Sequence, residues 1–177
     1  DTDRQEFYFI EVNARIQVEH PVSELISRCD LVAMQLRLAG GEPLALRQND
    51  IVLHGHAIEC RVNAEDPAND FRPQPGRVTA FEPPDMDFVR LDTFCRPNAV
   101  IPPYYDSMVG KLIAYGNDRD EALVRMATAM EQFCLEGIVS NLPLQHFIVT
   151  HPDFRNNLIT TRWLEQTALP AFANKEE

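Results

Sequence analysis

Apolar and polar residues alternate along a segment near the start of the chain. Every even position from 8 to 18 is apolar, and the odd positions from 11 to 19 are polar or charged: Glu11, Asn13, Arg15, Gln17 and Glu19. Because successive side chains of a β-strand point to opposite faces, this pattern predicts a strand over residues 7–18 with its apolar face in the core. The other face would be a row of acid, amide, cation, amide and acid.

A straight strand cannot bring both ends of this polar row to one place. At about 3.3 Å per residue, Glu11 and Glu19 would lie roughly 26 Å apart. For both to face one site, the chain must bend between Asn13 and Glu19. Pro21 suits the first turn of a helix, which indicates that a helix follows the bend.

Helical and strand patterns interleave along the rest of the chain. A break near residues 28–30 separates two short helices, the second of which is capped by Asp30. The clearest helix follows Asp118, with Glu121 in a capping-box position, and ends at Gly137. We also expect strands over 51–61, 77–81, 88–92 and 112–115, and shorter helices near 142–149 and 161–166.

Composition narrows the class of protein. The 177 residues suffice for one domain, or for one domain and part of another. A net charge of −11 argues against nucleic acid or an anionic membrane as the main partner, and no run is apolar enough to span a bilayer. The chain begins with Asp1, shows no signal peptide and soon enters an apolar segment, so we expect it to be a piece of a longer polypeptide.

The cysteines and histidines do not predict a metal site. Cys29, Cys60, Cys95 and Cys134 are widely spaced without a Cys-x-x-Cys pair, and the five histidines also lack close ligand spacing. Reduced thiols in a cytosolic protein are the simplest interpretation, and two disulfides are the alternative.

Four segments carry the most specific patterns. They read EVNARIQVEHPVSE (11–24), HAIECRVNAEDP (56–67), PPYYDSMVGKL (102–112) and GIVSN (137–141). Together, and in this order, they resemble the signature of biotin carboxylases, the ATP-grasp subunit or domain of biotin-dependent carboxylases.

The resemblance implies an α+β fold in two parts. Residues 1–47 would be the C-terminal end of an ATP-grasp domain. Residues 48–170 would be the biotin carboxylase C-terminal domain, mostly antiparallel sheet with flanking helices, and 171–177 a frayed tail.

Two residues of the polar row suggest a metal site. At the strand rise their Cα atoms would lie roughly 6.6 Å apart on one face, so the oxygens of Glu11 and Asn13 could converge on one hard cation. The resemblance implies that they help to hold Mg²⁺, or Mn²⁺ in its place, on ATP. A solvent-facing strand with two polar groups is the alternative.

The resemblance also assigns a bicarbonate and biotin site. Arg15, Gln17 and the backbone of Val18 would hold bicarbonate, and the fork of donors on an arginine suits such an anion. A surface ion pair is the alternative for Arg15. Glu19 would be the general base that takes the bicarbonate proton, and the alternative is an acid placed at a helix N-terminus.

Arg61 would contact bicarbonate and stabilise the biotin enolate. Because it lies between apolar neighbours, it is expected to be partly buried, and a structural pair with Glu59, Glu65 or Asp66 is the alternative. Arg90 matches a position near the dimer interface of bacterial relatives, or is a surface arginine. For Asp106, Ser107 and Lys111 the sequence suggests no role.

A parent enzyme of this family uses ATP and bicarbonate to form carboxyphosphate and ADP, and then carboxylates N1′ of biotin. The implied partners are a biotin carboxyl carrier protein or domain, a carboxyltransferase, the upstream ATP-grasp lobes and a second copy in a homodimer. Acetyl-CoA carboxylase, in cytoplasmic fatty acid biosynthesis, is the expected setting, while the final acceptor stays open.

The 177 residues alone offer no candidate for the glycine-rich loop or the phosphate-binding lysines, so we expect weak ATP binding and no turnover. Two alternatives remain. One is another ATP-grasp ligase such as a carbamoyl-phosphate synthase, and the other is a non-catalytic structural or dimerisation module.

Overall fold

The computed structural model describes residues 3–174 and has an α+β fold, as predicted. Its helices are α1 (His20–Ser27), α2 (Leu31–Ala39), α3 (Arg119–Gln132), α4 (Leu142–Thr150), α5 (Pro152–Arg155) and α6 (Leu169–Ala173). Its strands are β1 (His56–Asn63), β2 (Glu65–Asp66), β3 (Arg72–Pro73), β4 (Gly76–Arg77), β5 (Ala80–Glu82), β6 (Val89–Thr93), β7 (Val100–Ile101), β8 (Met108–Gly116) and β9 (Cys134–Glu136). Short 3₁₀ turns lie at Gln48–Asp50 and Pro67–Asn69, and a π-helical turn at Leu164–Ala168 precedes α6.

An antiparallel sheet of three strands, in the order β1-β8-β6, forms the centre of the fold. Its two faces differ because neighbouring residues on β8 point to opposite sides. Leu112 and Ala114 join residues of α3 in the main apolar core, which also holds Val62 of β1. Lys111 points to the other face, where α1 and the segment before it lie against the sheet. Three further two-stranded ladders, β2-β3, β4-β7 and β5-β9, extend the fold around this sheet.

The strand expected over residues 7–18 is wrong for the described chain. These residues form no regular strand, and Phe7 and Ile10 are 97% and 89% exposed instead of lying in a core. The physical reason is that no strand among residues 3–174 pairs with this segment, and unpaired backbone groups must face water. The expected bend is present, since the Arg15 N–H donates to the Asn13 carbonyl (2.8 Å) and a turn at Val18–Glu19 leads into α1.

The two helices expected after the bend are confirmed. α1 has Pro21 in its first turn, and α2 is capped by Asp30, whose carboxylate accepts a hydrogen bond from the Ala33 N–H (2.8 Å). Arg28 makes the break between them with φ of 59°, in the left-handed region that favours glycine.

The long helix α3 begins as predicted and ends earlier. Asp118 accepts from the Glu121 N–H (2.9 Å), while the Glu121 carboxylate accepts from the Asn117 N–H (2.6 Å), one residue before the cap. The helix stops at Gln132 and not at Gly137, because the next residues form β9 and pair with β5. Phe133 anchors this change by packing edge-on against Phe81, with ring centroids 5.4 Å apart.

Other predicted boundaries also shift. The first long strand starts at His56 and not at residue 51, after Gly55, which has a positive φ of 62°. The range 171–177, expected to be a frayed tail, begins inside α6, where Phe172 packs against Phe147 (5.7 Å between centroids). Residues 175–177 lie outside the described chain. No helix within residues 3–174 combines the length and the apolar character that crossing a membrane requires.

Candidate active site

An ion pair joins the segments 11–24 and 56–67. Nη2 of Arg61 on β1 lies 3.1 Å from Oε2 of Glu19, although 42 residues separate them. Both side chains are about half exposed, at 51% and 57%, so Arg61 is more accessible than its apolar neighbours suggested. Its partner is Glu19 and none of the three acids considered as a structural pair. The strand and the residue before α1 thus present an acid and a cation to one water-accessible corner.

Residues 15–19, called here the 15–19 corner, form the other side of this site. Arg15 donates to the Gln17 side-chain oxygen (3.1 Å) and to the Ile16 carbonyl (3.2 Å). After the Glu19 backbone N–H and Arg61, the positive charge of Arg15 also acts to lower the pKa of Glu19. Two cations and one acid are the set that could hold an oxyanion and accept its proton.

The two residues proposed to hold a metal lie next to each other before the corner. The Asn13 side-chain amide donates to Oε1 of Glu11 at 3.4 Å, so the two side chains share one side of the chain. Both residues are exposed. Carboxylate and amide oxygens are hard ligands of the type that Mg²⁺ prefers, and these two can turn towards one ion without breaking a buried contact.

Lys111 of β8 contacts the backbone of the 15–19 corner. It is only 8% exposed, and its ammonium donates to the Val18 carbonyl oxygen (2.9 Å) and lies 3.4 Å from Oδ2 of Asp92. Asp92 also receives two hydrogen bonds from Arg90, at 2.7 and 2.9 Å, and Arg90 reaches Glu24 of α1 at 2.6 Å. Arg90 is therefore neither a free surface arginine nor isolated from the site, but part of a charged network under α1.

The network changes the pKa of its acids in opposite directions. Burial acts to raise the pKa of Asp92, but the hydrogen bonds and charge of Arg90 outweigh it, so the pKa is lowered. The pKa of Glu19 is lowered chiefly by its own backbone N–H, with Arg61 adding to the effect. Glu59 behaves differently because desolvation raises its pKa, against the opposing charge of Lys111.

Glu59 is a carboxylate without a hydrogen-bond partner among the described residues. Both of its carboxylate oxygens are buried and accept no hydrogen bond within the described residues. It precedes Arg61 by two positions on β1 and so lies on the same face of the sheet. A buried carboxylate without a hydrogen-bond donor lowers the free energy of unfolding. Stability therefore does not explain a glutamate at this position.

The other sequence motifs hold the site together. The Asn141 side chain donates to the Arg61 carbonyl (3.1 Å) and accepts from the Asn63 N–H (2.9 Å), so it clamps β1 beside the ion pair. Asp106 accepts from the Met108 N–H (2.7 Å) and shapes the entry to β8. Ser107 donates to Glu65, which links the second and third motifs.

The structure brings Arg61 into contact with Glu19, and Arg15 bonds to Gln17 within the same 15–19 corner. Sequence reasoning missed the supporting residues Lys111 and Glu59. The period-two pattern of β1, which can be read from the sequence, places Glu59 on the same face of the sheet as Arg61. The pairing of Lys111 with the corner cannot be read in this way, because it depends on the register of β8 against β1.

Comparison with known proteins connects this geometry to a family. Residues 59–166 match the model of the biotin carboxylase C-terminal domain, which covers more than half of the chain. The chain belongs to the biotin carboxylase family. Residues 1–47 match a second model, the ATP-binding domain of the carbamoyl-phosphate synthase L chain.

Individual biotin carboxylases match almost the whole chain. Biotin carboxylase 1 of Bacillus subtilis is 44% identical over 93% of it, and the biotin carboxylase of Pseudomonas aeruginosa is 48% identical over 90%. These matches span 37% and 35% of the two relatives, so the chain corresponds to about a third of their length. Relatives of this kind favour a biotin carboxylase over a carbamoyl-phosphate synthase, whose named model covers only residues 1–47.

Solved structures agree in fold. The biotin carboxylase domain dimer of Hydrogenobacter thermophilus 2-oxoglutarate carboxylase, in complex with MgADP, ADP and bicarbonate, superposes with a TM-score of 0.91 at 40% identity. The match covers 96% of this chain and 37% of that one. The biotin carboxylase subunit of a pyruvate carboxylase superposes with a TM-score of 0.89 at 41% identity, covering 93% and 36%.

Proposed function

We propose that this chain forms the C-terminal wall of a biotin carboxylase active site, where ATP and bicarbonate are used to carboxylate N1′ of biotin on a carrier protein. The observation that carries the proposal is the Arg61–Glu19 ion pair, 3.1 Å long, at the meeting point of two family motifs. The pair gives one exposed corner both an anion-binding group and a proton acceptor.

In this proposal the two arginines bind bicarbonate and Glu19 removes its proton. The guanidinium forks of Arg15 and Arg61 face the negative oxygens of the substrate, while Gln17 and the backbone of Val18 complete the cradle. The attacking oxygen of bicarbonate then bonds to the γ-phosphorus of ATP, the bond to ADP breaks, and the proton passes to Glu19. The products of this step are carboxyphosphate, ADP and protonated Glu19.

The ion pair itself suggests how the base is activated. After the Glu19 backbone N–H, the hydrogen bond and charge of Arg61 add to the lowering of the Glu19 pKa, which makes the carboxylate a weaker base while the pair is closed. Bicarbonate bound to Arg61 competes for the guanidinium, which removes the contribution of Arg61 to the lowered pKa and so strengthens Glu19 as a base. The base would thus gain strength when its substrate is present.

Glu11 and Asn13 would hold the magnesium ion of the nucleotide. Their side chains touch at 3.4 Å and supply hard oxygen ligands, which supports the assignment. When bound, the metal neutralises phosphate charge and orients the γ-phosphate. The chain's own contribution is to place the metal ligands two and four residues before Arg15, beside the bicarbonate cradle.

The exposed apolar residues before the 15–19 corner suggest where the upstream ATP-grasp lobes pack. Phe7, Phe9 and Ile10 are 79% or more exposed, and their side chains suit a strand inside an ATP-grasp sheet. We propose that upstream ATP-grasp lobes, present in the two thirds of the relatives that this chain does not match, cover this segment and bring ATP. The carrier protein, a carboxyltransferase and a second copy of the enzyme are the further proposed partners.

The final acceptor would be chosen elsewhere in the assembly. Relatives from 2-oxoglutarate carboxylase and pyruvate carboxylase are similarly close to this chain, at 40% and 41% identity, so this part of the enzyme carries no acceptor preference. We keep acetyl-CoA carboxylase in cytoplasmic fatty acid biosynthesis as the proposed setting.

A fusion with the missing lobes tests the proposal. The part of Pseudomonas aeruginosa biotin carboxylase that precedes its match is joined to this chain, and ATP-dependent carboxylation of biotin by ¹⁴C-bicarbonate is measured. We expect activity that Glu19→Gln and Arg61→Met each reduce by about a hundredfold or more, as for loss of a proton acceptor or of an electrostatic group.

Glu131→Gln is the matched control. Glu131 is an exposed acid that also pairs at 3.1 Å, with His146, but lies on α3 away from the corner. Its substitution should leave carboxylation unchanged. A fusion that is folded and binds ATP, yet carboxylates equally well with Glu19→Gln, would instead favour a structural module.

A further inference from the structure

Lys111 is unusually buried for a lysine. A lysine at 8% exposure is rare unless its charge is paired, and this ammonium has two acceptors, the Val18 carbonyl and Asp92. The contact with Val18 spans 93 residues of sequence. A strand of the central sheet therefore reaches directly to the backbone of the 15–19 corner.

The register of the sheet makes this contact part of a row. Lys111 lies opposite Arg61 on β1 and opposite Asp92 on β6. Residues that face each other across antiparallel strands share one face, so these three charges stand side by side. Arg61 binds the side chain of Glu19, and Lys111 binds the carbonyl of the residue before it.

The Val18 carbonyl belongs to the same peptide unit as the Glu19 N–H. A trans peptide is planar, so the direction of the carbonyl fixes the N–H on the opposite side. That N–H is the main influence that lowers the pKa of the Glu19 carboxyl. An ammonium on the carbonyl also polarises the peptide and makes the N–H a stronger donor.

We propose that Lys111 is a positioning residue for the proton acceptor of this site, because it holds the Val18–Glu19 peptide from which the Glu19 side chain extends to Arg61. The proposal rests on the proposed function only for the role of Glu19 in catalysis. The structural link from Lys111 to Glu19 can be tested without it.

Glu59 completes the electrostatic setting. It is a diagonal neighbour of Lys111 across the β1-β8 ladder, two residues out of direct register, and the charge of Lys111 acts on it. With Asp92 on the other side, the ammonium is placed between two acids and a carbonyl. This arrangement directs the Lys111 ammonium to the Val18 carbonyl.

The chain offers a clean spectroscopic test. Lys111 and Lys175 are its two lysines, so ¹⁵N-lysine labelling gives two side-chain signals. We expect the Lys111 amine protons to exchange slowly with water and to show a through-hydrogen-bond coupling to the Val18 carbonyl carbon in the unsubstituted 177-residue chain. Rapid exchange without this coupling would overturn the proposal, whatever the variants do.

The consequence for Glu19 is measured by ¹³C NMR of the glutamate carboxyls, with Glu19→Gln used to assign the signal. Lys111→Met should raise the titration midpoint of Glu19 and leave that of Glu131 in place, and Lys111→Arg should restore the midpoint in part. A folded Lys111→Met chain with an unchanged Glu19 midpoint would also overturn it.

The effect of Lys111 on catalysis is measured in the fusion enzyme. Lys111→Met should lower kcat/KM for bicarbonate by about 10-fold to 100-fold, as for groups that orient metal ligands, and shift the acid limb of its pH profile upwards. The KM for ATP should change little. If the fusion lacks carboxylation altogether, the proposed function fails while the NMR result still decides the role of Lys111.

Discussion

Asn141 donates a hydrogen bond from its side-chain amide to the carbonyl oxygen of Arg61, 3.1 Å away and 80 residues earlier in the chain. The same side chain accepts from the Asn63 N–H, and the Asn141 backbone N–H donates to the Asn63 carbonyl (3.1 Å). Asn141 thus behaves like a short extra strand at the edge of β1. It holds the part of β1 from which the candidate anion-binding arginine projects.

Replacing Asn141 should therefore affect stability and the site together. Asn141→Ala leaves the Arg61 carbonyl and the Asn63 N–H, both part-buried, without this partner, at a total cost of roughly 1–3 kcal/mol. Urea unfolding of the 177-residue chain measures this loss. Asn117→Ala, at an exposed position, is the control and should change stability by less than about 0.5 kcal/mol. Equal effects of the two substitutions would contradict the clamp.

The buried carboxyl of Glu59 predicts a pH dependence with a definite sign. Because burial raises its pKa in the folded state, the folded protein holds this proton more tightly than the unfolded chain, whose glutamates titrate at about 4.3. Its stabilising effect is complete below that pH and is lost as the pH rises through the folded pKa. Glu59→Gln stays neutral throughout, so its stability relative to the unsubstituted chain should increase with pH above about 4.

Chemical denaturation at several pH values between 4 and 8 checks this, with Glu131→Gln as the exposed control. A difference in unfolding free energy between Glu59→Gln and the unsubstituted chain that stays flat, or that reverses with pH, would show that Glu59 finds partners in solution.

The Arg61–Glu19 pair should matter little for folding. Both side chains are about half exposed, and pairs of this kind contribute about 0.2–1 kcal/mol. A double-mutant cycle with Glu19→Gln and Arg61→Met in the 177-residue chain should give a coupling energy in that range, reduced at high salt. A coupling of several kcal/mol would mean that the pair is structural, which would weaken the catalytic assignment.

The backbone amides of residues 7–12 should exchange rapidly with water in this chain and slowly in the fusion. Residues 7–12 have no strand partner within the described chain, so their amides should exchange within seconds in the isolated 177 residues. Hydrogen exchange followed by mass spectrometry should show strong protection once the upstream lobes are attached. Unchanged exchange in an active fusion would contradict the placement of this segment in a shared sheet.

The isolated chain should not turn over ATP. The metal and bicarbonate ligands proposed here lie within residues 11–61, but the sequence offers no candidate for the loop that would hold the phosphates. We expect no bicarbonate-dependent release of phosphate from the 177 residues above a blank. Turnover that Glu19→Gln abolishes would show that this chain alone is a complete catalyst.

Local patterns predicted the elements whose cause is local. Asp30 and Asp118 cap their helices because each side chain reaches an N–H three residues later. The corner was also within reach of the sequence, since a polar row that includes Glu11 and Glu19 can serve one site only if the chain bends. The features that were not predicted depend on strand pairing. The apolar side chains in residues 7–12 are exposed because a strand requires a neighbouring strand. The end of the expected long helix is instead β9, because β9 pairs with β5.

The roles of Lys111 and Asn141 follow from the same limit. Nothing in the segment PPYYDSMVGKL states which residue lies across the sheet, and the register Arg61–Lys111–Asp92 appears only when three strands are assembled. A motif can identify a family through such residues before their purpose is known.

The central sheet presents a charged face to α1 and an apolar face to α3. Dissolved ions screen the Glu19–Arg61 attraction on the first side, whereas excluded salts such as sulfate strengthen apolar burial on the second. Ionic composition thus acts in opposite directions on the two sides of one layer, loosening the candidate catalytic edge while the scaffold beneath it becomes firmer.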